Sequence, residues 1–398
     1  MIGHEGDEYT CNARKINRLE NMPVYVTQPS LPPLDDFLPY LRAIWESKWL
    51  TNSGAFHNQL EAALAEHLGV QHLSLFSSGM DALQTGLSVL DVQGEVITTP
   101  FTFAATPHAI HLNGCVPVFC DIDPVTLTMA PELVEGLITD RTTALLPVHV
   151  YGNPCDHEQL KAIADKHGLR LLYDAAHAFD VKKDGMSVCA WGDLSVLSFH
   201  ATKVFSTCEG GAIVTPHAWV KKQVDSFRNF GIENETTIVG PGINGKMDEL
   251  RAAYGLLNLK HADSTLEKRR KVARYYREHL SSTKGIRVLD ELSNVDANYG
   301  YFPILVCAEE YGLTRDMLYE QLKSISVFTR RYFYPLVSHV TPYNRHPSAH
   351  PDKLPVAEKI AKEVLCLPIY SELGNGDVER VVRFIQNKDG DRNKGETK

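Results

Sequence analysis

The chain has 398 residues, of which 43% are hydrophobic and 22% are charged. Its 27 glycines and 21 prolines are ordinary for a globular protein, and they exclude collagen-like and low-complexity chains. The formal net charge of −9 at pH 7 argues against a nucleic-acid-binding protein, although local basic residues could still bind a small anion.

Residues 1–22 are polar and lack the apolar region of a secretory signal, so we expect an N-terminal extension there. A large domain is predicted over 23–258, and it begins with two helical stretches within residues 30–68. Six β-rich runs follow, at 95–99, 116–122, 144–150, 170–176, 194–200 and 211–215.

Helical patterns separate the first four runs, over 103–112, 131–138 and 156–168. In the third pattern Leu160, Ile163 and Ala164 share one face, and Gly168 supplies a stop signal. Strands that are apolar almost throughout and that alternate with helices indicate an α/β fold. We therefore predict a mostly parallel sheet that is covered by helices on both faces.

The pattern changes near residue 258. A basic amphipathic helix is predicted over 264–282, a strand over 299–307, and a helix that begins after Thr314, a candidate N-cap. These elements and a final helix over 376–387 predict a smaller α+β domain over 259–398. Its charged tail, from about residue 387, has too few apolar residues to pack.

The eight cysteines are scattered, with no C-x-x-C pair and no Cys/His cluster at zinc spacing. We therefore expect reduced thiols in a cytoplasmic protein, with neither a disulfide framework nor a structural metal site. The sequence has no run of about 18 apolar residues, so no membrane span is expected.

A lysine follows the fifth β-rich run, in S-F-H-A-T-K at 198–203, and C-E-G-G follows at 208–211. Lys203 could be an ordinary solvated loop lysine. If it is held near the strand ends and partly desolvated, its neutral amine could instead form a Schiff base with a carbonyl compound.

A carboxylate lies near the end of another strand, in Y-D-A-A-H-A-F at 173–179. Asp174 could merely cap the next helix. It could also stay ionised opposite a pyridinium nitrogen and keep that nitrogen protonated, so that the ring accepts electrons. His177, about one turn later, could contact the phenolic oxygen of such a ring or could be an ordinary hydrogen-bonded imidazole.

Two further signals flank strands. The turn F-S-S-G at 76–79 precedes a helical pattern. A helix N-terminus with small residues can bind phosphate through its free N–H groups. Most such turns, however, only cap the helix. Phe103 follows the run at 95–99. An aromatic residue there is usually part of the core, but it could also stack on a planar ring.

The four signals occur in one order: phosphate turn, stacking aromatic, strand-end carboxylate and strand-end lysine. All lie at strand ends of one predicted parallel sheet, which is where open α/β folds bind ligands. Together they predict a binding site for pyridoxal phosphate.

From Pro29 to Phe384 the chain resembles the DegT/StrS-type sugar aminotransferases, which are pyridoxal phosphate enzymes of fold type I. The motifs that carry the resemblance include W-L-T-N-S-G, Y-G-N-P-C-D, Y-D-A-A-H-A-F, S-F-H-A-T-K, E-G-G-A-I-V-T and G-I-N-G-K-M.

The resemblance implies a role for each matching residue. Lys203 would carry the covalent link to the cofactor, Asp174 would face the ring nitrogen, His177 would lie near the ring oxygen, and Phe103 would stack on the ring. The phosphate would be held by Ser78, Gly79, Met80 and Ser198. Relatives often carry Thr at the position of Met80. Met has no side-chain hydroxyl, so contact with the phosphate there could come only from its backbone.

The family is dimeric, so the resemblance also implies a C2 homodimer with shared sites, in which Asn244 and Lys246 reach the neighbouring subunit's cofactor. The anionic diphosphate of a nucleotide-linked sugar would need cations, for which Arg330, Arg331 and Lys246 are candidates. The alternative for these three is ordinary solvated surface charge. Trp49 is a further candidate near the substrate.

The implied reaction is transfer of an amino group from glutamate to a nucleotide-linked keto-sugar. Lys203 stands where the dehydratase branch of the family has His, which favours transamination over dehydration. Several segments are most similar to the viosamine-type branch, which implies amination at C4 of a dTDP-4-keto-6-deoxyhexose and a place in deoxyamino sugar and lipopolysaccharide O-antigen biosynthesis. Amination of a 3-keto sugar or of a different nucleotide sugar, another reaction on the same cofactor, and a non-catalytic protein of the same fold remain alternatives.

Overall fold

The computed structural model of the protein describes residues 22–387. The polar extension predicted over residues 1–22 therefore lies outside the described residues except for Met22. The charged tail predicted from about residue 387 lies outside them except for Asn387.

Helices account for much of the described chain, and several begin and end where local signals predict. The side chains of Asp156 and Thr314 cap two of them, and Gly168 ends one in the left-handed conformation, at φ 66°. The helices are α1 (Leu34–Ser47), α2 (Ala55–Leu68), α3 (Gly79–Val89), α4 (Ala105–Leu112), α5 (Pro131–Val134), α6 (His157–His167), α7 (Ala218–Phe227), α8 (Glu249–Leu259), α9 (Ala262–Leu280), α10 (Ala308–Tyr311), α11 (Arg315–Ser324), α12 (Pro355–Glu363) and α13 (Asn375–Asn387).

The strands are shorter than the apolar runs that predict them. The run predicted over 144–150, for example, forms a strand only as far as Leu146; Pro147 has no N–H to donate, and beyond it a single isolated bridge joins Val148 to Asp174. The strands are β1 (Val24–Tyr25), β2 (His72–Phe76), β3 (Glu95–Thr98), β4 (Val116–Phe119), β5 (Thr142–Leu146), β6 (Arg170–Asp174), β7 (Lys182–Lys183), β8 (Met186–Ser187), β9 (Leu194–Ser198), β10 (Gly211–Thr215), β11 (Ile232–Asn234), β12 (Thr237–Ile238), β13 (Ile286–Val288), β14 (Val295–Asp296), β15 (Phe302–Val306), β16 (Val327–Phe328) and β17 (Val364–Leu367).

Among residues 22–387 the main sheet has seven strands in the order β2-β10-β9-β6-β5-β3-β4. Strand β10 runs antiparallel to both of its neighbours, and the other strands are parallel to one another. The carboxyl ends of β2, β3, β6 and β9 therefore meet at one edge of the sheet. The α/β fold with a mostly parallel sheet is confirmed.

Both faces of this sheet are covered by apolar helix faces, as the near-continuous apolar strands require. On one face the buried cluster includes Leu60 and Leu64 of α2 and Leu160 of α6. On the other face Leu83 and Leu87 of α3 belong to a second buried cluster, together with residues of α4 and α7.

The C-terminal part of the chain forms its own sheet of β13, β15 and β17, which packs with α9, α11 and α13 around a separate buried cluster. Strand β1, near the start of the described chain, pairs in parallel with β16 in this region. The domain boundary predicted at 258/259 falls at the end of α8 and stays a prediction.

A buried carboxylate joins the two regions. Asp121 follows β4, and its side chain accepts hydrogen bonds from the N–H groups of Val356 and Ala357, both at 2.9 Å. These groups lie in the first turn of α12, so Asp121 of the main-sheet region caps a helix of the C-terminal region.

Within residues 22–387 none of the helices combines the length and the apolar character needed to cross a bilayer.

Candidate active site

The edge at which four strands end carries the predicted phosphate turn. Ser78 caps α3 by accepting a hydrogen bond from Asp81 N–H at 3.1 Å, and the Ser77 hydroxyl donates to the Asp81 carboxylate at 2.6 Å. The N–H groups of Gly79 and Met80, in the first turn of α3, have no partner within the helix. They and the helix dipole are available to an anion.

Where this turn meets the sheet, Gly211 leaves no room for a side chain and Gly79 leaves very little. A Cβ on Gly79 would lie 3.0 Å from Cβ of Ser198, which ends β9. A Cβ on Gly211 would lie 2.7 Å from the Gly79 backbone nitrogen. The close approach brings Ser198 beside the phosphate turn, so the structure gathers these two predicted site residues.

Asp174, the last residue of β6, is buried, with 4% of its surface exposed. Its carboxylate accepts hydrogen bonds from the Thr106 hydroxyl at 2.7 Å and from Ala176 N–H at 3.0 Å. Burial raises the pKa of Asp174, while both hydrogen bonds and the charge of Lys203 act in the opposite direction. The carboxylate is therefore held in a fixed orientation with one cationic neighbour.

Lys203 lies in the loop between β9 and β10, and its amine donates a hydrogen bond to the Tyr301 hydroxyl at 3.2 Å. Burial lowers the pKa of this amine to about 8, and the Asp174 charge opposes the shift. Roughly a tenth of the amine is then neutral at pH 7, against well under a thousandth for an ordinary lysine. A neutral amine is the nucleophilic form.

His177 is also buried, and its Nδ1 accepts a hydrogen bond from Tyr151 N–H at 3.1 Å. That bond leaves the ring proton on Nε2. Burial lowers the pKa of His177 well below its usual range, and the charge of Lys203 acts in the same direction. His177 is therefore a neutral imidazole that can donate one hydrogen bond.

Other predicted site residues lie on the surface of the single chain. Phe103 is 62% exposed and Trp49 is 54% exposed. Asn244 is exposed, and its side-chain oxygen accepts a hydrogen bond from the Lys246 amine at 2.8 Å. The carbonyl of the intervening Gly245 accepts a hydrogen bond from Ser77 N–H at 2.8 Å, so this loop contacts the phosphate turn of its own chain.

The two predicted arginines differ in their surroundings. Arg331 is bound to Asp316 of α11 at 2.7 Å, and its guanidinium lies 4.4 Å from the centre of the Tyr319 ring. Its charge is thus already partnered. The backbone of Arg330 pairs with Cys366 of β17, and its side chain is exposed.

Sequence reasoning missed four residues at this site: Thr106, Tyr151, Asn298 and Tyr301. Thr106 lies three positions after Phe103, and a hydroxyl in the first turn of a predicted helix gives only a weak signal. The N–H of Tyr151 binds His177, and its hydroxyl donates to the Tyr332 carbonyl. Asn298 and Tyr301 lie more than 90 positions after Lys203, and no local pattern marks them.

The structure thus brings together, at one sheet edge, free N–H groups that can bind an anion, a buried carboxylate and a lysine of lowered pKa.

The chain matches the DegT/DnrJ/EryC1/StrS aminotransferase family over residues 34–386. A dTDP-4-amino-4,6-dideoxy-D-glucose transaminase of Shigella dysenteriae is 48% identical over 364 residues, which cover 92% of this chain and 98% of that protein. An Escherichia coli protein of the same description is 46% identical over 364 residues, with 91% and 98% covered.

Solved structures are similar over nearly the whole chain. The crystal structure of DesI in the presence of its TDP-sugar product has a TM-score of 0.88 and 36% sequence identity, and 92% of each chain is covered. Helicobacter pylori PseC, an aminotransferase involved in the biosynthesis of pseudoaminic acid, has a TM-score of 0.85 and 26% identity, with 92% and 99% covered. The chain therefore belongs to the DegT/DnrJ/EryC1/StrS aminotransferase family and is an enzyme of the transferase class.

Proposed function

We propose that this enzyme uses pyridoxal phosphate to transfer the amino group of glutamate to C4 of a dTDP-4-keto-6-deoxyhexose, giving a dTDP-4-amino-4,6-dideoxyhexose. The observation that carries the reaction type is the buried Asp174 carboxylate with the half-buried Lys203 near it, at the sheet edge that carries the phosphate turn. The substrate is proposed because relatives 46–48% identical over more than nine-tenths of the chain are described as dTDP-4-amino-4,6-dideoxy-D-glucose transaminases.

The residues present fit pyridoxal phosphate. Its phosphate matches the free N–H groups of Gly79 and Met80 and the hydroxyls of Ser78 and Ser198. The glycines that meet at this turn leave no room for a side chain, which is the packing that a backbone-lined phosphate seat needs. The carboxylate of Asp174 matches a protonated ring nitrogen, and Lys203 can link to an aldehyde.

When bound, this cofactor supplies an aldehyde carbon that carries the amino group and a ring that accepts electrons. Asp174 holds the proton on the ring nitrogen through its fixed carboxylate. Lys203 would provide the amine for the covalent link, and when free its amine would take the α-proton of glutamate and later return a proton. His177, as a neutral donor, would bind the ring oxygen through Nε2, and Phe103 would cover one face of the ring.

We propose that two copies of the chain share the sites. Large apolar side chains are exposed on α1, on the loop that follows it, and at Phe103. They are Leu34, Trp45, Trp49, Leu50 and Phe103. Exposed apolar groups of this size are typical of an interface, and a second copy would bury them. In this dimer the exposed Asn244 and the half-buried Lys246 would reach the partner's cofactor.

The choice of C4 must come from how the nucleotide diphosphate is anchored, because the cofactor reacts with any carbonyl carbon that reaches it. The C3 and C4 carbons of a hexose are about an ångström and a half apart, so small changes in anchoring could redirect the reaction. Arg330 is the better anchor of the two arginines, since Arg331 is paired with Asp316.

The experiment is a substrate panel with glutamate as the donor. It contains dTDP-4-keto-6-deoxyglucose, its 3-keto isomer, and the GDP-linked 4-keto sugar. Products are identified by mass and NMR, and 2-oxoglutarate is measured in parallel. Amination of the dTDP-linked 4-keto sugar alone is expected. Amination of only the 3-keto isomer would refute the C4 assignment, and no amination of any sugar would refute the substrate class.

A second measurement tests the cofactor. The purified protein should be yellow, and addition of glutamate should convert the yellow form to the aminated form in the absence of a sugar. A non-catalytic protein of the same fold would bind the cofactor without responding to glutamate.

We also propose that the enzyme works in the cytoplasm, in a pathway of deoxyamino sugar biosynthesis that supplies lipopolysaccharide O-antigen. The seven cysteines among the described residues are all free thiols, which suits a reducing compartment.

A further inference from the structure

We propose that Tyr301 is a positioning residue for Lys203: its hydroxyl holds the amine at the sheet edge whenever that amine is not linked to the cofactor. The inference rests on the proposed function in one respect, since it takes Lys203 as the cofactor lysine. It adds a residue of the C-terminal region to a cofactor site whose sequence-predicted residues all come from the main-sheet region.

The contact itself is specific. Lys203 Nζ lies 3.2 Å from the Tyr301 hydroxyl oxygen, and among residues 22–387 this is the one hydrogen bond that the amine makes. A lysine side chain has four rotatable bonds, so without a hydrogen-bond partner its amine would occupy many positions. The hydroxyl therefore fixes an otherwise untethered amine.

The ring of Tyr301 is fixed in turn by three neighbours. Its centre lies 4.6 Å from that of His177, 5.5 Å from that of Tyr151 and 5.9 Å from that of Tyr332. One of these, His177, is itself a predicted site residue. The ring thus packs directly against the site, and the hydroxyl has little freedom to move.

The backbone before Tyr301 is held just as firmly. The buried Asn298 side chain donates to the carbonyls of His177 and Phe179, both at 2.8 Å, and accepts from Gly300 N–H at 3.0 Å. One amide therefore joins the loop that carries His177 to the segment that carries Tyr301. The position of Tyr301 therefore depends on the loop that carries His177, and direct hydrogen bonds set the distance between the Tyr301 hydroxyl and that loop.

A phenol is chemically suited to this task. Burial raises the pKa of Tyr301 well above its usual value, so the hydroxyl stays neutral at physiological pH. A neutral hydroxyl can accept a hydrogen bond from a charged amine and can donate one to a neutral amine. A carboxylate at this place would instead stabilise the charged form and make the amine a poorer nucleophile.

The test compares Tyr301→Phe with Tyr332→Phe. Both variants lose one hydroxyl from the same aromatic cluster, but only the first loses the bond to Lys203. The full-length chain is stripped of cofactor and labelled with formaldehyde and cyanoborohydride across pH 6–10, and labelling of the Lys203 peptide is measured by mass spectrometry. Only neutral amine reacts, so the midpoint of the curve reports the pKa of Lys203.

The hydrogen bond to a charged amine is the stronger one, so its loss disfavours the charged form. We expect the labelling midpoint to move down by about one pH unit in Tyr301→Phe and to stay in place in Tyr332→Phe. In the cofactor-loaded enzyme the same Tyr301→Phe variant should lower kcat by about tenfold, while the KM for glutamate stays within about twofold.

An unchanged midpoint in Tyr301→Phe, or an equal movement in both variants, would overturn the inference. Neither result would affect the proposed function, which is tested separately by the substrate panel and by the loss of the yellow linkage and of turnover in Lys203→Ala. Each substitution removes a single oxygen atom and keeps the ring, so both variants are expected to stay folded. Thermal unfolding of both variants checks this.

Discussion

The edge of the main sheet and the C-terminal region contribute to the site in different ways. At the sheet edge, Ser78, Asp174 and Ser198 lie on strand ends or in the turn that directly follows one, and their positions are set by the ladder of the sheet. The C-terminal region contributes Tyr301, through a segment that Asn298 ties to the loop of His177. In the proposed function the sheet edge carries the groups that do the chemistry, and the C-terminal region would fix where one of them, Lys203, lies.

Substitutions in the two regions should therefore affect different properties of the enzyme. Substitutions at the sheet edge should reduce the reaction rate and leave stability nearly unchanged. Substitutions at contacts between the regions should change stability or position more than chemistry.

The largest effect is expected for Lys203→Ala. This variant should lose the absorbance of the cofactor linkage and all measurable turnover, because among the described residues Lys203 is the amine placed beside Asp174. Lys203→Arg serves as the control that keeps the charge but cannot form the link, and it should be equally inactive. Activity above a trace in either variant would show that another group forms the link.

The next effect is expected for Asp174→Asn. A neutral amide cannot hold the ring proton, so we expect the variant to bind cofactor and to lose at least about a hundredfold in kcat, roughly the cost of one uncompensated buried charge. The control is Asp193→Asn, since Asp193 accepts a hydrogen bond from Leu171 N–H at the opposite end of β6. Turnover of Asp174→Asn within a few-fold of the wild type would assign the electron-accepting role to a different group.

A mixing experiment tests whether the sheet-edge site is shared between two chains. Asn244→Ala and Lys246→Ala should each be poorly active, and Lys203→Ala should be inactive. Either of the first two variants is mixed with Lys203→Ala. Each site of the mixed dimer takes Lys203 from one chain and Asn244 and Lys246 from the other, so one site carries both substitutions and the other carries neither. Activity should therefore partly return on mixing. If subunits exchange and no activity returns, then Asn244 and Lys246 act within their own chain or not at all.

Asp121→Ala tests the tie between the regions. The carboxylate caps α12 from outside the C-terminal region, and its loss should lower the free energy of unfolding by about 2 kcal/mol. Asp156→Ala is the matched control, since Asp156 caps α6 at an exposed position by accepting from Gln159 N–H at 3.1 Å, and it should cost about 1 kcal/mol or less. Equal losses in chemical denaturation would show that the tie adds nothing to an ordinary cap.

The smallest effects separate the two arginines. Arg331→Ala should cost less than about 1 kcal/mol in stability, because its partly exposed pair with Asp316 is screened by solvent, and should leave the KM for the nucleotide sugar nearly unchanged. Arg330→Ala should raise that KM by about tenfold without changing stability, since it removes a phosphate contact from an exposed side chain. The opposite pattern would make Arg331 the anchor.

Much of the sheet edge could be predicted because its signals are local. An apolar strand that ends in Asp174, or a small-residue turn before a helix, is visible within about ten consecutive residues. The strand β2 was not predicted, because its sequence H-L-S-L-F is short and mixes polar with apolar residues. It becomes a strand only by pairing with β10 and by burial under α2 and α7.

The sequence by itself determined the family and the α/β fold, and it supplied the residues of the proposed cofactor site, since each depends on patterns that contiguous residues carry. The tertiary structure alone decided that Thr106 binds Asp174 across 68 positions and that Tyr301 binds Lys203 across 98. It also decided that Arg331 is paired with Asp316 of α11. These contacts join segments that no local pattern relates. They exist because folding brings hydroxyls and charges of distant segments within hydrogen-bond distance, and one of them, Tyr301 with Lys203, depends on the packing of the two regions against each other.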